Sequence, residues 1–437
     1  MARSSLLAAS FAALALAACG GTESALDPAL GYGPGPTLPA PSPQRIPTVR
    51  VAEAVGWPVG RTPTPAPGFR VQAFASGLDH PRWLYRLPNG DVLVAESNAP
   101  PKPEGQSGGL RGWVQRLFMK RAGARVPSAN RITLLRDADG DGVAELKTAL
   151  LENLTSPFGM ALVGDTLFVA NADAVVAFPY QTGQTRITAA PRRIAALPAG
   201  RNHHSTKSLV ASADGTRLYV GVGSNSNIGE NGLDEEAGRA AIHEIDIATG
   251  AGRVFASGLR NPVGLAWQPD SGRLWVSVNE RDELGNDLVP DYMTSVTPGG
   301  FYGWPWSYYG PIVDARVEPA NPDMVARALK PDYALGAHTA SLGLTFGEGA
   351  LFPARYRGGA FVGQHGSWNR SPPNGYRVIF VPFAAGVPAG PPEDILTGFL
   401  NEQSQAMGRP VGVQFDRAGA LLVADDVGNV IWRVSPA

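Results

Sequence analysis

Apolar residues in this chain come in short bursts broken by Gly/Asp turns, and the bursts repeat as one phrase. The phrase starts on a small residue or proline, runs through an apolar stretch to a turn, and ends Gly-x-apolar-apolar-Val. It reads Pro81-Arg-Trp-Leu…Gly90-Asp-Val-Leu-Val94, then Pro157-Phe-Gly-Met…Gly164-Asp-Thr-Leu-Phe-Val169, then Ser208-Leu-Val…Gly215-Thr-Arg-Leu-Tyr-Val220. The fourth copy is Arg260-Asn-Pro-Val-Gly-Leu-Ala-Trp267…Gly272-Arg-Leu-Trp-Val276. A looser fifth is Ser341-Leu-Gly-Leu…Gly359-Ala-Phe-Val362, and the sixth is Pro410-Val-Gly-Val…Gly419-Ala-Leu-Leu-Val423. Each copy predicts two short strands joined by a turn. A unit of this length cannot bury its own apolar face, so neighbours must stack. Six units predict an all-β, six-bladed β-propeller, a ring without long exposed edges and with a central mouth where inner-strand ends converge.

Composition fits this. The chain has 437 residues, 44% of them hydrophobic, with 53 glycines and 39 prolines. Residues 68–437 read as one propeller domain despite their length. The net charge of −1 offers no global field for nucleic acid, so no nucleic-acid partner is expected.

Ahead of the propeller, Arg3 precedes an apolar run from Leu6 to Ala18 that is short for a bilayer span and reads as a signal peptide over residues 1–18. Its end, Leu16-Ala-Ala-Cys19, resembles the bacterial lipobox. That resemblance implies acylation of Cys19 and a chain exported and lipid-anchored at the bacterial envelope, facing the periplasm from the outer membrane. Cys19 is the sole cysteine, which excludes a disulfide or a cysteine nucleophile in the mature fold. Residues 19–67 are rich in Pro, Gly, Ala and Ser without apolar periodicity, and predict a tether.

Two features separate the first and second copies. Leu110, Trp113, Val114, Leu117 and Phe118 recur at helical spacing between basic residues, predicting a helix that packs on the propeller rather than on a membrane. Asp137-Ala-Asp-Gly-Asp-Gly142 alternates carboxylates with glycines, the chemistry of a small Ca2+ turn through Asp137, Asp139 and Asp141, or of a plain Asp/Gly hairpin. An EF-hand loop fails, because its last ligand position falls on Thr148.

No Gly-x-Gly-x-x-Gly after a strand and no P-loop occurs, and the one Gly-x-Ser-x-Gly string, Gly105-Gln-Ser-Gly-Gly109, lies in a Pro/Gly-rich stretch rather than on a strand-to-helix elbow, so nicotinamide, ATP and serine-hydrolase chemistry lack support. His203 and His204 open the third copy, where a neutral imidazole near the mouth suits a general base; a satisfied structural pair is the plainer alternative. Arg82, Arg260-Asn261 and Arg409 take matching places in the first, fourth and sixth copies. Cations converging on one axis require an anion, because unpaired buried charge is costly. Planar arginine forks suit carboxylates, so the implied ligand is flat with several carboxylates, although any one arginine could instead bridge blades.

Five ordered motifs then carry a resemblance: Asn202–Leu209, Arg260-Asn-Pro-Val-Gly-Leu265, Gly299-Gly-Phe-Tyr-Gly-Trp-Pro305, His365-Gly-Ser-Trp-Asn-Arg370 and Gly408-Arg-Pro-Val-Gly412. Over residues 68–437 the chain resembles the glucose/sorbosone dehydrogenase family, nearest its L-sorbosone and pyranose dehydrogenase branch. The resemblance implies a six-bladed propeller that binds pyrroloquinoline quinone (PQQ), a tricarboxylate, with Ca2+, and oxidises a sugar or sugar-derived aldehyde or alcohol by hydride transfer to the quinone. It implies His204 as general base with His203 as its substitute. Arg260 and Asn261 are expected to hold the quinone, and Arg409 a carboxylate. Arg82, Lys207, His365 and Arg370 are further candidates for the cofactor. The cofactor calcium is expected on loop carbonyls of Glu280, Arg281 and Asp282, where the family's Gly-Pro is absent. The family's second arginine, two positions beyond Arg409, is Val411 here. The electron acceptor is expected to be a quinone or a cytochrome. Two other readings stand beside this one. A calcium-dependent lactonase needs carboxylates converging on the axis, and a non-catalytic lipoprotein would use the propeller as a binding platform.

Overall fold

The computed structural model describes residues 24, 26–43, 50–101, 121–123 and 126–437. Six antiparallel sheets form a ring. From the axis outward, blade 1 is Pro81–Arg86, Val92–Glu96, Arg131–Arg136 and Leu146–Leu151, and blade 2 is Met160–Val163, Thr166–Ala170, Ala174–Pro179 and Arg192–Ala196. Blade 3 is Leu209–Ala211, Arg217–Val222, Ala241–Asp246 and Gly252–Ser257, and blade 4 is Pro262–Trp267, Leu274–Val278, Pro290–Ser295 and Tyr333–Ala337. Blade 5 is Ser341–Phe346, Ala360–Gln364, Arg377–Val381 and Glu393–Thr397. Blade 6 joins the two ends of the propeller: Pro410–Phe415, Leu421–Asp425 and Val430–Pro436 are completed by Phe69–Ser76, paired from Phe69↔Pro436 to Ser76↔Val430. This pairing closes the ring. Each copy of the phrase supplies the two inner strands of one blade.

The core is a set of seams, one between each pair of neighbouring blades. Successive side chains of a strand point to opposite faces. In Val92–Glu96, Leu93 and Ala95 therefore enter the seam with blade 2, while Val92 and Val94 enter the seam with blade 6. Both faces are apolar, which explains the near-continuous apolar runs. Full burial of each such valine or leucine contributes about 1.5–3 kcal/mol.

The glycine of the phrase has a packing role. At Gly159, Gly264, Gly343 and Gly412 a Cβ would meet the backbone of the next blade's inner strand, at Leu209, Leu342, Val411 and Arg82 respectively. The inner strands of blades 1, 4, 5 and 6 also shift register within their first residues, a bulge that re-aims the strand start.

The predicted tether departs from expectation in its described part. Tyr32–Gly33 extends blade 4 and Thr64–Pro65 extends blade 5. The Trp57 indole donates to Asp425 at 2.6 Å, and its ring stands edge-on to Phe399 and Trp432. Pro-rich chain without periodicity can still lie against a sheet edge, as here. The signal segment, Cys19 and the helix predicted around Leu110–Phe118 lie outside the described residues. No helix of the described residues is long and apolar enough to cross a membrane.

Candidate active site

Antiparallel pairing sets the start of each inner strand beside the end of the next strand: Pro81 faces Glu96, Pro262 faces Val278, Ser341 faces Gln364 and Pro410 faces Asp425. The mouth is therefore lined by residues that precede the inner strands and residues that follow the second ones. Beneath it Trp83, Phe158, Val263, Leu342 and Val411 share one buried apolar cluster. Val411 thus belongs to the floor, and its place offers no charge to a ligand.

On the side of blades 3 and 4, His204 Nδ1 lies 2.9 Å from the Ser224 carbonyl and 3.1 Å from its hydroxyl, which itself donates to the Ser226 carbonyl at 2.6 Å. Nδ1 must carry the proton, so Nε2 presents its lone pair. Burial first, then the charge of Arg260 and the neighbouring His203, hold His204 well below the usual imidazole range. The ring is neutral at pH 7. His203 stands edge-on to it at 4.7 Å. Gly223 has no room for a Cβ between His204 and Asn261, so this glycine lets the two side chains approach. Asn261 Oδ1 is buried without a hydrogen-bond partner.

The loop under His204 is fastened from inside. Asn202 adopts φ 45°, a conformation asparagine tolerates, and its Oδ1 accepts from Arg239 at 2.9 Å and from Lys207 at 3.3 Å. Lys207 Nζ also donates to the carbonyls of Ser205 (3.1 Å) and His204 (3.5 Å). It is fully buried with no carboxylate in ion-pair contact among the described residues, and burial lowers it to about 7. Lys207 was expected on the cofactor; instead it turns inward and holds the histidine loop.

Arg260 is also turned away from the mouth. It is 2% exposed, and its guanidinium reaches the Glu280 carbonyl (2.6 Å), the Asn227 carbonyl (3.1 Å) and Asn227 Oδ1 (3.0 Å). Its guanidinium faces carbonyl and amide oxygens, and its charge falls on His204. Asp282 stands beyond it at 3.6 Å, bonded to Asn369 at 2.8 Å and 3.4 Å from His338. Despite burial, the hydrogen bond from His338 and the charge of Arg260 hold Asp282 below the usual carboxylate range.

Across the mouth, Asp426 is the hub. It accepts from Arg82 at 2.6 Å and from His365 Nε2 at 2.9 Å, and His80 Nδ1 reaches its carbonyl at 3.0 Å. Despite burial, His365, His80 and Arg82 hold its carboxyl far below the usual range. Burial lowers His365 to about 4, so it too is neutral at pH 7. Arg409 differs. It has no carboxylate partner among the described residues; one nitrogen reaches the Ala52 carbonyl at 3.2 Å, the group stacks over Tyr376, and Nε is buried without a partner.

Two expectations need correction, on Arg370 and on the Glu280–Asp282 loop. Arg370 is buried against the Asn286 and Pro372 carbonyls and Asp287, where it fastens loops. The carbonyls of Glu280 and Asp282 already accept from Arg260 (2.6 Å) and Arg316 (3.0 Å), and Arg281 is locked between Glu280 and Asp314. That loop does not offer a calcium ion the expected carbonyls. Asp137, Asp139 and Asp141 do converge, joined by Glu145, but on the turn between the outer strands of blade 1 at the end opposite the mouth.

A TrAA12-like family model matches residues 128–297 and 319–437, more than half of the chain. The chain belongs to the TrAA12-like family. It is 24% identical over 429 residues to a pyrroloquinoline quinone-dependent pyranose dehydrogenase of Coprinopsis cinerea, covering 84% of this chain and 54% of that protein. It is 23% identical over 272 residues to a pyrroloquinoline quinone-dependent sugar dehydrogenase of Hypocrea jecorina, covering 56% of this chain and 57% of that one. The chain thus spans little more than half the length of these curated relatives. Among solved structures, the holo PQQ domain of the Coprinopsis cinerea pyranose dehydrogenase superposes with TM-score 0.68 at 22% identity, covering 88% of this chain and all (100%) of that one. The calcium structure of the Trichoderma reesei family AA12 enzyme gives TM-score 0.69 at 19% identity, covering 89% and 99%. These superpositions show that the six-bladed β-propeller is shared with those two structures.

Within that fold, His204, Asn261, Arg409 and Arg82 stand at or just before the starts of inner strands, around the mouth. The ends of the second strands add Ser224, Asn279 and Asp426, which the repeated phrase does not mark, and just beyond them Asp282, expected for its carbonyl and present through its carboxylate. The adjacent Asp425-Asp426 pair closing an apolar strand was the readable signal.

Proposed function

We propose that this protein is a PQQ-dependent dehydrogenase of pyranose-type sugars. The observation that carries the reading is one constellation: a half-buried neutral imidazole with a free Nε2, the unpartnered Asn261 Oδ1 beside it, and Arg409 with an unpartnered buried Nε across the mouth. Unpartnered buried donors and acceptors at a native site call for a ligand. A planar polycarboxylate suits them. Arg409 offers its fork to a carboxylate, and Arg201 in the histidine loop adds a second unpartnered buried Nε. The named activities of the Coprinopsis cinerea and Hypocrea jecorina relatives support the same cofactor and substrate class.

When bound, PQQ supplies a two-electron acceptor for the hydrogen on the substrate carbon. His204 Nε2 accepts the proton of the substrate hydroxyl. The Ser224 carbonyl holds the Nδ1 proton, fixing the tautomer, and becomes the partner of the imidazolium that results. Asn261 fixes orientation beside it. Electrons then leave to a quinone or cytochrome. The lactonase reading gains nothing: Asp282 and Asp426 do approach the mouth, yet both are capped by cations. Export and lipidation at Cys19 form part of the proposal, and loss of palmitate labelling in Cys19→Ser tests them.

The test of function is to titrate apoprotein with PQQ by absorbance and follow dye reduction with a panel of aldopyranoses and sorbosone. Stoichiometric binding with turnover on a pyranose is expected. Absence of PQQ binding overturns the reading.

A further inference from the structure

We propose that the guanidinium of Arg260 is the resident cation of an oxygen cradle formed by Asn227, Asn279, Glu280 and Asp282, so that the site takes up its quinone without a calcium ion. The second half rests on the PQQ reading; the first does not.

The cradle is built from two blades. Asn227 follows the second strand of blade 3 and gives its carbonyl to Arg260 Nε (3.1 Å) and its Oδ1 to NH2 (3.0 Å). Asn279 and Glu280 follow the second strand of blade 4; their carbonyls lie 3.3 Å and 2.6 Å from NH1, with Asn279 Oδ1 at 3.5 Å. Asp282 Oδ2 adds a formal charge at 3.6 Å. Converging carbonyl, amide and carboxylate oxygens are what a hard divalent cation selects. Here a guanidinium meets them, with five fixed N–H donors.

Neither partner is free to shift. The Arg260 carbonyl accepts from Ser224 N at 2.8 Å, and the Asn261 carbonyl accepts from Asn279 N at 3.1 Å. Those bonds set the side chain's starting point. On the cradle side, Asp291 accepts the Glu280 N–H at 2.9 Å, and Asn227 Oδ1 accepts the Asp282 N–H at 2.9 Å. Arg316 caps the Asp282 carbonyl at 3.0 Å. A calcium ion here would have to displace a fully buried cation or lie against it. Arg260 therefore supplies permanently the positive charge that the resemblance assigned to calcium, next to the base.

The full chain carrying Asp139→Asn and Asp141→Asn, which silences the distant acidic turn, serves as background for the test. PQQ affinity is measured by absorbance titration in excess EGTA and in millimolar CaCl2, and bound calcium by equilibrium dialysis with 45Ca2+. The expected result is one PQQ affinity in both buffers within about twofold, and no calcium bound with or without PQQ. Affinity that collapses in EGTA and returns with Ca2+ overturns the proposal, as does one equivalent of calcium bound. In Arg260→Gln the vacated cradle is expected to acquire calcium, with PQQ binding about tenfold tighter in CaCl2 than in EGTA. A folded Arg260→Gln indifferent to calcium also overturns it. Should PQQ bind in neither buffer, the functional reading fails, and calcium dialysis of the apoprotein still decides the cradle.

Discussion

The two halves of the mouth use charge in opposite ways. Around Asp426, at blades 5, 6 and 1, Arg82 and the two histidines answer a buried carboxylate, and the group is close to neutral. Around His204, at blades 3 and 4, the cations are answered largely by uncharged oxygens: Lys207 by carbonyls and an amide, Arg260 by carbonyls and Asn227 ahead of the more distant Asp282. A cation paired with a carboxylate fixes structure and projects little field. A cation held by carbonyls keeps most of its field, and here that field falls on the imidazole and keeps it unprotonated. The first half should govern stability, the second chemistry.

Substitutions can break that division. The largest effect is expected at His204: His204→Ala should retain PQQ and the wild-type melting temperature while turnover falls by about 10^2–10^4-fold, read from steady-state dye reduction. Loss of stability instead would place His204 in the structural half. Asp426→Ala should do the reverse. Removing one partner of a buried charge cluster costs about 3–5 kcal/mol, measured by urea denaturation. The same carboxylate sets an acid limit. Its folded pKa lies below its unfolded one, so its contribution is present above the ordinary carboxylate pKa and fades as pH falls beneath about 4. Asp426→Asn should flatten the stability curve in that acid range.

Lys207→Met is expected to be milder, with turnover reduced about tenfold through a loosened histidine loop, in line with the roughly 1–3 kcal/mol of carbonyls left unsatisfied. It carries its own signature. With a folded pKa near 7 and an unfolded one near 10.5, only the unfolded state binds the proton between those values, so stability rises with pH across that window. The methionine variant should lose that rise in urea titrations at graded pH. The smallest effect concerns the rate profile. Because burial and Arg260 depress His204, the acid limb of kcat/KM should lie below the free-imidazole pKa of 6.5. A limb at or above that value would place the base elsewhere.

The ring was legible because its signal repeats: each copy needs two apolar strands and a turn, and six chances to see one pattern outweigh any irregular copy. The site was half legible. Residues before the inner strands share a place in the repeat, so a deviant His204 or Arg409 shows against its equivalents. Which way a long side chain turns is not periodic, so Lys207, Arg260 and Arg370 looked like ligands for the mouth and proved to be partners of backbone carbonyls. Asp426 escaped, and Asp282 was read only for its carbonyl, because carboxylates were not sought where cations converged, although buried charges of either sign are rarely found unpaired. The segment ahead of the propeller misled by composition. Two-residue strands on blades 4 and 5 and Trp57 bonded to Asp425 anchor it, and such scattered contacts have no period.

One measurement bears most directly on the whole account. PQQ-loaded wild type and His204→Ala, matched for bound cofactor, are mixed anaerobically with an aldopyranose while the oxidised-quinone absorbance is followed. Rapid bleaching is expected in the wild type, and a persistent band in His204→Ala. Bleaching at the wild-type rate in His204→Ala, or a wild type that retains no PQQ, would contradict that expectation.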